Sequence, residues 1–196
     1  MEKFETLQSL MLPLDKVNID TDQILPARFL QKPRANNFGN YLFQDIRHDE
    51  NGLKRPEFVL NQDKYAGAKI LIAKDNFGCG SSREHAVWAI FDAGFRVVIA
   101  PSFGDIFFNN ALKNGLLPIR LTQPEVSQLF SLNHQNSETK AMIDLVQQIV
   151  VVDSVFRASF EIDKFSKQCF LEGLDELGYT LSLLSKIEAF EKKILS

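Results

Sequence analysis

Residues 69–121 read KILIAKDNFGCGSSREHAVWAIFDAGFRVVIAPSFGDIFFNNALKNGLLPIRL. Lys69-Ile-Leu-Ile-Ala73, Phe95-Arg-Val-Val-Ile-Ala100 and Leu116-Leu-Pro-Ile-Arg-Leu121 are short apolar runs of strand length. Between the first two, Ala86, Val87, Ala89, Ile90 and Ala93 recur on a helical period. That helix is expected to start near Ser81 and to end at Gly94, a left-handed cap. A second helix is expected from about Phe103 to Lys113, closed by Asn114-Gly115. The order β-α-β-α-β predicts a parallel sheet with right-handed crossovers, and hence an α/β fold.

Outward from this core the signals thin. Met11 to Ile19 reads as a short strand that ends in Asn18-Ile-Asp-Thr-Asp22, where Asp and Asn favour turns and helix caps. Residues 31–64 carry Pro33, Gly39, Gly52, Pro56 and many charges, and read as a long, weakly structured, mobile loop. On the other side, Thr122-Gln-Pro-Glu125 is a capping box with Pro in the first turn, predicting a helix to about Leu132. Ala141 to Val152 and Val155 to Ile162 read as two strands joined at Asp153-Ser154. Asp163 is placed to cap a helix to about Leu171. From Thr180, Leu181, Leu184, Ile187 and Phe190 share one face of an amphipathic tail.

The 196 residues suit a single domain over 1–196, and 45% hydrophobic content permits a sizeable core. Seventeen Phe against one Trp and three Tyr point mainly to core packing, with some left for a partner face. A net charge of −3 favours neither nucleic acid nor an anionic membrane. No apolar run reaches membrane-spanning length, and the N-terminus lacks the apolar stretch of a signal peptide. Two cysteines far apart in sequence, Cys79 and Cys169, fit a reducing, cytoplasmic setting.

Asn76-Phe-Gly-Cys-Gly-Ser-Ser-Arg-Glu-His-Ala86 carries the chemistry. Glycines allow close backbone approach, a helix start attracts anions, and Arg83 offers a fork for a carboxylate. Such turns lie beyond the C-terminal strand ends, where open α/β sheets place their sites. By spacing alone, Ser81 and Glu84 also make an ordinary capping box, a purely structural reading. A phosphate loop is excluded because no Gly-Lys-Ser/Thr follows, and a nucleophile elbow because Gly-x-Ser-x-Gly is absent.

Gly80-Ser-Ser-Arg-Glu-His85 is similar to the signature of the swivelling domain of the aconitase superfamily. Asn18-Ile-Asp-Thr-Asp-Gln-Ile-Leu-Pro-Ala-Arg-Phe29 resembles the N-terminal motif of isopropylmalate dehydratase small subunits. Ser102-Phe-Gly-Asp-Ile-Phe-Phe-Asn-Asn110 with Asn114-Gly-Leu-Leu-Pro118, and Gly173-Leu-Asp-Glu-Leu-Gly178, resemble further blocks of that family. The likeness runs in order along nearly the whole chain. It implies an aconitase-type swivelling β/β/α domain around the parallel core. It also implies a hydro-lyase of leucine biosynthesis that moves a hydroxyl between adjacent carbons of a small dicarboxylate.

Within that resemblance Ser81 is implied as the catalytic base, acting as an alkoxide. Ser82, Arg83 and Arg28 are implied as substrate-carboxylate contacts, and Asp22 as a site carboxylate orienting an arginine; the other reading of Asp22 is an Asx-turn residue. The family's 4Fe–4S cluster needs three cysteines, so the resemblance assigns it to a separate large subunit, with no metal bound by this chain and a site shared across a heterodimer. Cys79 is expected to be a small buried residue and His85 mainly structural. Tyr41, Leu42 and Phe43 are candidates to meet the substrate's apolar group. Homoaconitate or methyl-substituted malates are alternative substrates on the same scaffold. A subunit that has lost its chemistry is the alternative outside the enzymes.

Overall fold

Four apolar runs from different parts of the chain can hide both faces only by lying side by side beneath helices. The computed structural model of the protein, which describes residues 1–35 and 37–185 together with 190 and 192, shows this arrangement. The chain runs β1 (Thr6–Leu14), α1 (Thr21–Ile24), α2 (Gln44–Arg47), β2 (Ile70–Ala73), α3 (Glu84–Asp92), β3 (Val97–Ala100) and α4 (Asp105–Lys113). It continues through β4 (Leu117–Arg120), α5 (Gln123–Gln135), β5 (Lys140–Asp144), β6 (Ile149–Val152), β7 (Phe156–Ser159), α6 (Lys164–Glu172) and α7 (Glu176–Ser182). The seven strands form one sheet in the order β4-β3-β2-β1-β5-β6-β7. Strands β1 to β4 are parallel, and β5 to β7 are an antiparallel meander.

β1 is the hinge between these halves. Its first part, Thr6 to Leu10, pairs with β5, and its second part, Met11 to Leu14, pairs with β2. The expected strand over Met11 to Ile19 therefore begins earlier and ends at Leu14, because the partner of its first half lies about 130 residues away in sequence. The two prolines in strands sit where a missing N–H is tolerated. Pro13 lies past the end of the β5 pairing, and Pro118 lies on edge strand β4.

Alternate residues of the parallel strands feed two cores. Leu71, Ala73, Val98 and Ala100 pack with α3, α4 and residues 38–65. Ile70, Ile72, Val97, Ile99, Leu117 and Ile119 pack with α5, α6 and the meander. The helix and strand ends are chemically marked. Gly94 follows α3 at φ 102°. The Glu125 carboxylate reaches back to accept the Thr122 N–H at 2.7 Å, and α5 runs on to Gln135 rather than Leu132. The Ser166 N–H donates to Asp163 Oδ1 at 2.9 Å and starts α6.

Some expectations change. The run Ala141 to Val152 is two strands, because the Asp144 carboxylate accepts the Gln147 N–H (2.8 Å) and Gln148 takes φ 56°, turning the chain. The second expected strand shortens to β7. Helix α4 begins at Asp105 rather than Phe103, and α7 begins at Glu176, where Asp175 accepts the Gly178 N–H. On the tail face Leu181, Leu184 and Phe190 are exposed, and Ile187 lies outside the described residues. Residues 31–64 hold α2 and short 3-10 turns, and they bury Phe38, Leu42, Phe43 and Phe58. An apolar residue every few positions, not secondary structure, holds this segment on the core. Among the described residues no helix is long and apolar enough to cross a membrane.

The Asp163 cap carries a pH signature. Burial raises its carboxyl, but hydrogen bonds from Ser166, together with the backbone N–H groups of Phe165 and of Asp163 itself, outweigh that and hold it below the ordinary carboxylate range. A depressed folded pKa gives stability that is present above the unfolded pKa and lost as pH falls through the folded value. Asp163→Ala is expected to cost about 1 kcal/mol in urea unfolding at pH 7. The deficit should shrink once the pH drops below the carboxylate range.

Candidate functional site

The connections after β1, β2 and β3 lie side by side at the C-terminal edge of the parallel sheet. The middle one, residues 74–83, is fastened on both sides by backbone bonds. Gly78 N–H donates to Ile19 carbonyl (2.7 Å), and Thr21 N–H donates to Cys79 carbonyl (2.9 Å). Phe77 N–H donates to Ser102 carbonyl (3.1 Å), and Gly104 N–H donates to Phe77 carbonyl (2.9 Å). Asn76 adds its side-chain bond to Asn18 Oδ1 (2.9 Å). Phe77, Phe103 and Phe107 form an aromatic floor, with Phe77 and Phe107 edge to face at 5.3 Å.

The glycines of this turn do different work. Gly78 has φ 71°, and a Cβ there would collide with the Phe107 ring. Gly80 has φ 94°, but a Cβ there would meet nothing closer than 3.5 Å. The first is required by conformation and space, the second by conformation alone.

Ser81 and Ser82 are exposed, in the turn that precedes α3. The helix does not begin near Ser81. It begins at Glu84 with Arg83 as the cap residue, and the Ser81/Glu84 capping box does not form. Glu84 is drawn elsewhere, accepting from Asn114 Nδ2 at 2.7 Å, while Asn114 Oδ1 accepts the Trp88 indole N–H at 2.9 Å. This triad ties the start of α3 to the end of α4. Ser81 finds its partner across the turn in Thr21. Thr21 Oγ1 donates to the Ser81 carbonyl (3.1 Å) and lies 3.2 Å from Ser81 Oγ. Thr21 is 1% exposed, one of few buried polar side chains among the described residues.

Asp22, beside it on α1, is ion-paired with Arg83. The Asx-type capping role falls instead to Asp20, whose Oδ1 accepts the Gln23 N–H at 2.7 Å. The fold thus gathers Ser81, Ser82, Arg83 and Asp22. Arg28 is held otherwise: its Nη1 donates to Asp45 Oδ2 at 2.9 Å and its guanidinium covers the Phe29 ring at 4.6 Å. The hydrogen bond between them raises Arg28 and lowers Asp45 relative to their ordinary values. Both are more than half exposed, so the pair contributes little to stability.

Cys79 is half-buried in the turn, and burial, with the Asp20 charge, pushes its thiol up. Cys169 is buried on α6 and is likewise raised by burial. Among the described residues no three His, Cys, Asp or Glu side chains are grouped to hold a metal ion. Two cysteines on separate elements do not supply the set of thiolates that holds an iron–sulfur cluster. His85 packs against Trp88 (4.4 Å) and Phe38 (6.4 Å), a structural placement. Leu42 and Phe43 are fully buried in the core, which removes them as substrate contacts. Tyr41 is partly buried and stacks on Phe29 at 4.3 Å.

The aconitase C-terminal domain family matches residues 1–124. The 3-isopropylmalate dehydratase small subunit of Paramagnetospirillum magneticum is 49% identical over 98% of this chain and 96% of its own length. That of Leptospira interrogans is 51% identical over 98% of this chain and 95% of its own. The chain belongs to the 3-isopropylmalate dehydratase small-subunit family. A solved 3-isopropylmalate dehydratase from Methanocaldococcus jannaschii shares the fold, with a TM-score of 0.66 and 25% identity, covering 96% of this chain and 98% of that one.

For a member of this small-subunit family, the residue that sequence reasoning missed is Thr21. It lies inside the quoted Asn18 to Phe29 block, but an uncharged residue between two aspartates gives no local signal. Its partner stands 60 positions away. Gly80→Ala is expected to cost about 1 kcal/mol, the ordinary penalty for a side chain at positive φ. Gly78→Ala should cost distinctly more, since the Phe107 ring must also move. Thermal unfolding of the two variants checks this order.

Proposed function

We propose that the chain is the small subunit of isopropylmalate isomerase, a hydro-lyase of leucine biosynthesis. It interconverts 2-isopropylmalate and 3-isopropylmalate by dehydration and rehydration, together with a large subunit. Ser81 is the proposed base, with Ser82, Arg83 and Arg28 meeting substrate carboxylates and Asp22 orienting Arg83.

The observation that carries the reading is the turn with exposed Ser81 and Ser82 and half-buried Arg83, locked at the C-terminal strand edge and backed by buried Thr21. A serine hydroxyl becomes a base only where its anion is stabilised by oriented donors and positive charge. Here the turn supplies rigidity, Thr21 a hydroxyl and Arg83 a cation. Arg83 is shared with Asp22, which fixes the guanidinium plane and leaves other N–H groups of the fork for a carboxylate. Arg28 binds substrate after exchanging Asp45 for a substrate carboxylate, a like-for-like replacement of one anion by another.

The large subunit is proposed to hold the 4Fe–4S cluster, which supplies Lewis-acid activation of the substrate hydroxyl. Placing the base on an open edge is what a site completed by a second chain requires. The experiment is to mix this protein anaerobically with a cluster-loaded large subunit and follow the absorbance of the unsaturated intermediate from 2-isopropylmalate. Turnover is expected only in the mixture. Ser81→Ala should abolish turnover while the complex still forms and stability changes by no more than about 1 kcal/mol, since Ser81 caps no helix. Full activity in that variant would remove Ser81 as the base. An assembled but inactive wild-type mixture would point to another substrate of the same family, or to a subunit that has lost this chemistry.

A further inference from the structure

Resting on the reading of Ser81 as the base, we infer that Thr21 is its positioning residue. As Ser81 loses its proton, Thr21 turns its single hydroxyl hydrogen from the Ser81 carbonyl to Ser81 Oγ.

A threonine hydroxyl has one proton to donate and two lone pairs to accept with. Thr21 Oγ1 stands at nearly equal distances from two oxygens of the same residue, 3.1 Å from the Ser81 carbonyl and 3.2 Å from Oγ. While Ser81 is neutral both contacts are satisfied: Thr21 donates to the carbonyl, and the Ser81 hydroxyl donates to Thr21. The alkoxide accepts only, so the Thr21 proton must then point at Oγ. That bond is charge-assisted and about twice as strong as a neutral one. The carbonyl is not orphaned by the change, because it also accepts the Arg83 N–H at 2.8 Å. Rotation of one O–H bond is therefore the whole rearrangement.

The heavy atoms are held in place throughout. The Thr21 N–H is bonded to the Cys79 carbonyl, its side chain is buried, and a β-branched side chain has a restricted χ1. Water does not reach a hydroxyl that is 1% exposed, so the alkoxide's internal donor is Thr21 rather than solvent on that side. In the forward step the Ser81 alkoxide takes the proton from the substrate carbon. The C–H pair becomes the carbon–carbon double bond as hydroxide leaves the neighbouring carbon. Addition of hydroxide to the carbon that lost the proton, with the Ser81 proton delivered to the carbon that lost the hydroxyl, completes the isomerisation and regenerates the alkoxide. Thr21 keeps its proton throughout.

The test uses the assembled two-subunit enzyme with Thr21→Val, which keeps shape and deletes the hydroxyl, and Thr21→Ser, which keeps the hydroxyl. Thr21→Val is expected to lower kcat on the order of 100-fold, as loss of one oxyanion donor does, with KM little changed. The acidic limb of its kcat/KM profile should move to higher pH, and Thr21→Ser should restore the wild-type profile. Should Thr21→Val fail to assemble, Thr21→Ala against Thr21→Ser reads the same hydroxyl, since that pair shares the lost methyl group. An unshifted profile in the hydroxyl-free variants, or a Thr21→Ser enzyme as impaired as they are, overturns the inference. Activity retained in Ser81→Ala overturns the reading beneath it. An inactive Ser81→Ala with a normal Thr21→Val overturns the role of Thr21 alone.

Discussion

The four backbone hydrogen bonds that fasten residues 77–79 to the connections on either side are the constraint from which the rest follows. A glycine-rich turn by itself is loose, since glycine gives up the most backbone entropy on ordering. Here the turn is stitched to residues 19–21 on one flank and 102–104 on the other. This requires the strands beneath to lie in the order β3-β2-β1 with matched ends. Parallel pairing puts all three connections at the same edge, and the same register brings Ile19 and Phe103 to the height of Gly78 and Phe77.

That stitching explains the chemistry of the neighbouring side chains. Thr21 reaches Ser81 because its own N–H is tied to Cys79, two residues away in the turn. Asp22 reaches Arg83 because α1 begins at that same point. The aromatic floor has the complementary task. Phe107 fills the space under Gly78, so the turn cannot collapse onto the sheet, and the serines stay at the surface. Helix α3 then carries away the chain, with Glu84 diverted to Asn114 and so kept off the serine pair.

The split use of β1 has a wider consequence. A strand that is antiparallel to β5 along one half and parallel to β2 along the other welds the meander to the parallel layer. The meander's apolar residues Ile143, Val150, Val152 and Phe156 join Ile70, Val97 and Leu117 in one cluster. The edge that carries Ser81 is thus backed by a continuous sheet rather than by a short parallel fragment.

The sequence by itself determined the parallel core, since three apolar runs separated by helical periods and glycine stops have few other solutions, and these signals are local. It also determined the candidate chemistry, because Gly80-Ser-Ser-Arg-Glu-His85 and its companion blocks mark the family in order along the chain. Other features depended on residues distant in sequence. The start of β1 follows from β5, and the burial of Leu42 and Phe43 follows from the core they join. The helix start at Glu84 rather than Ser81 follows from Asn114 and Thr21, which claim the two groups that spacing assigned to a capping box. The pairing of Thr21 with Ser81 is the clearest case. A hydroxyl buried under a turn has no periodicity and no charge to announce it, so only the tertiary structure, by closing a 60-residue separation to a hydrogen bond, decided which residue the serine would meet.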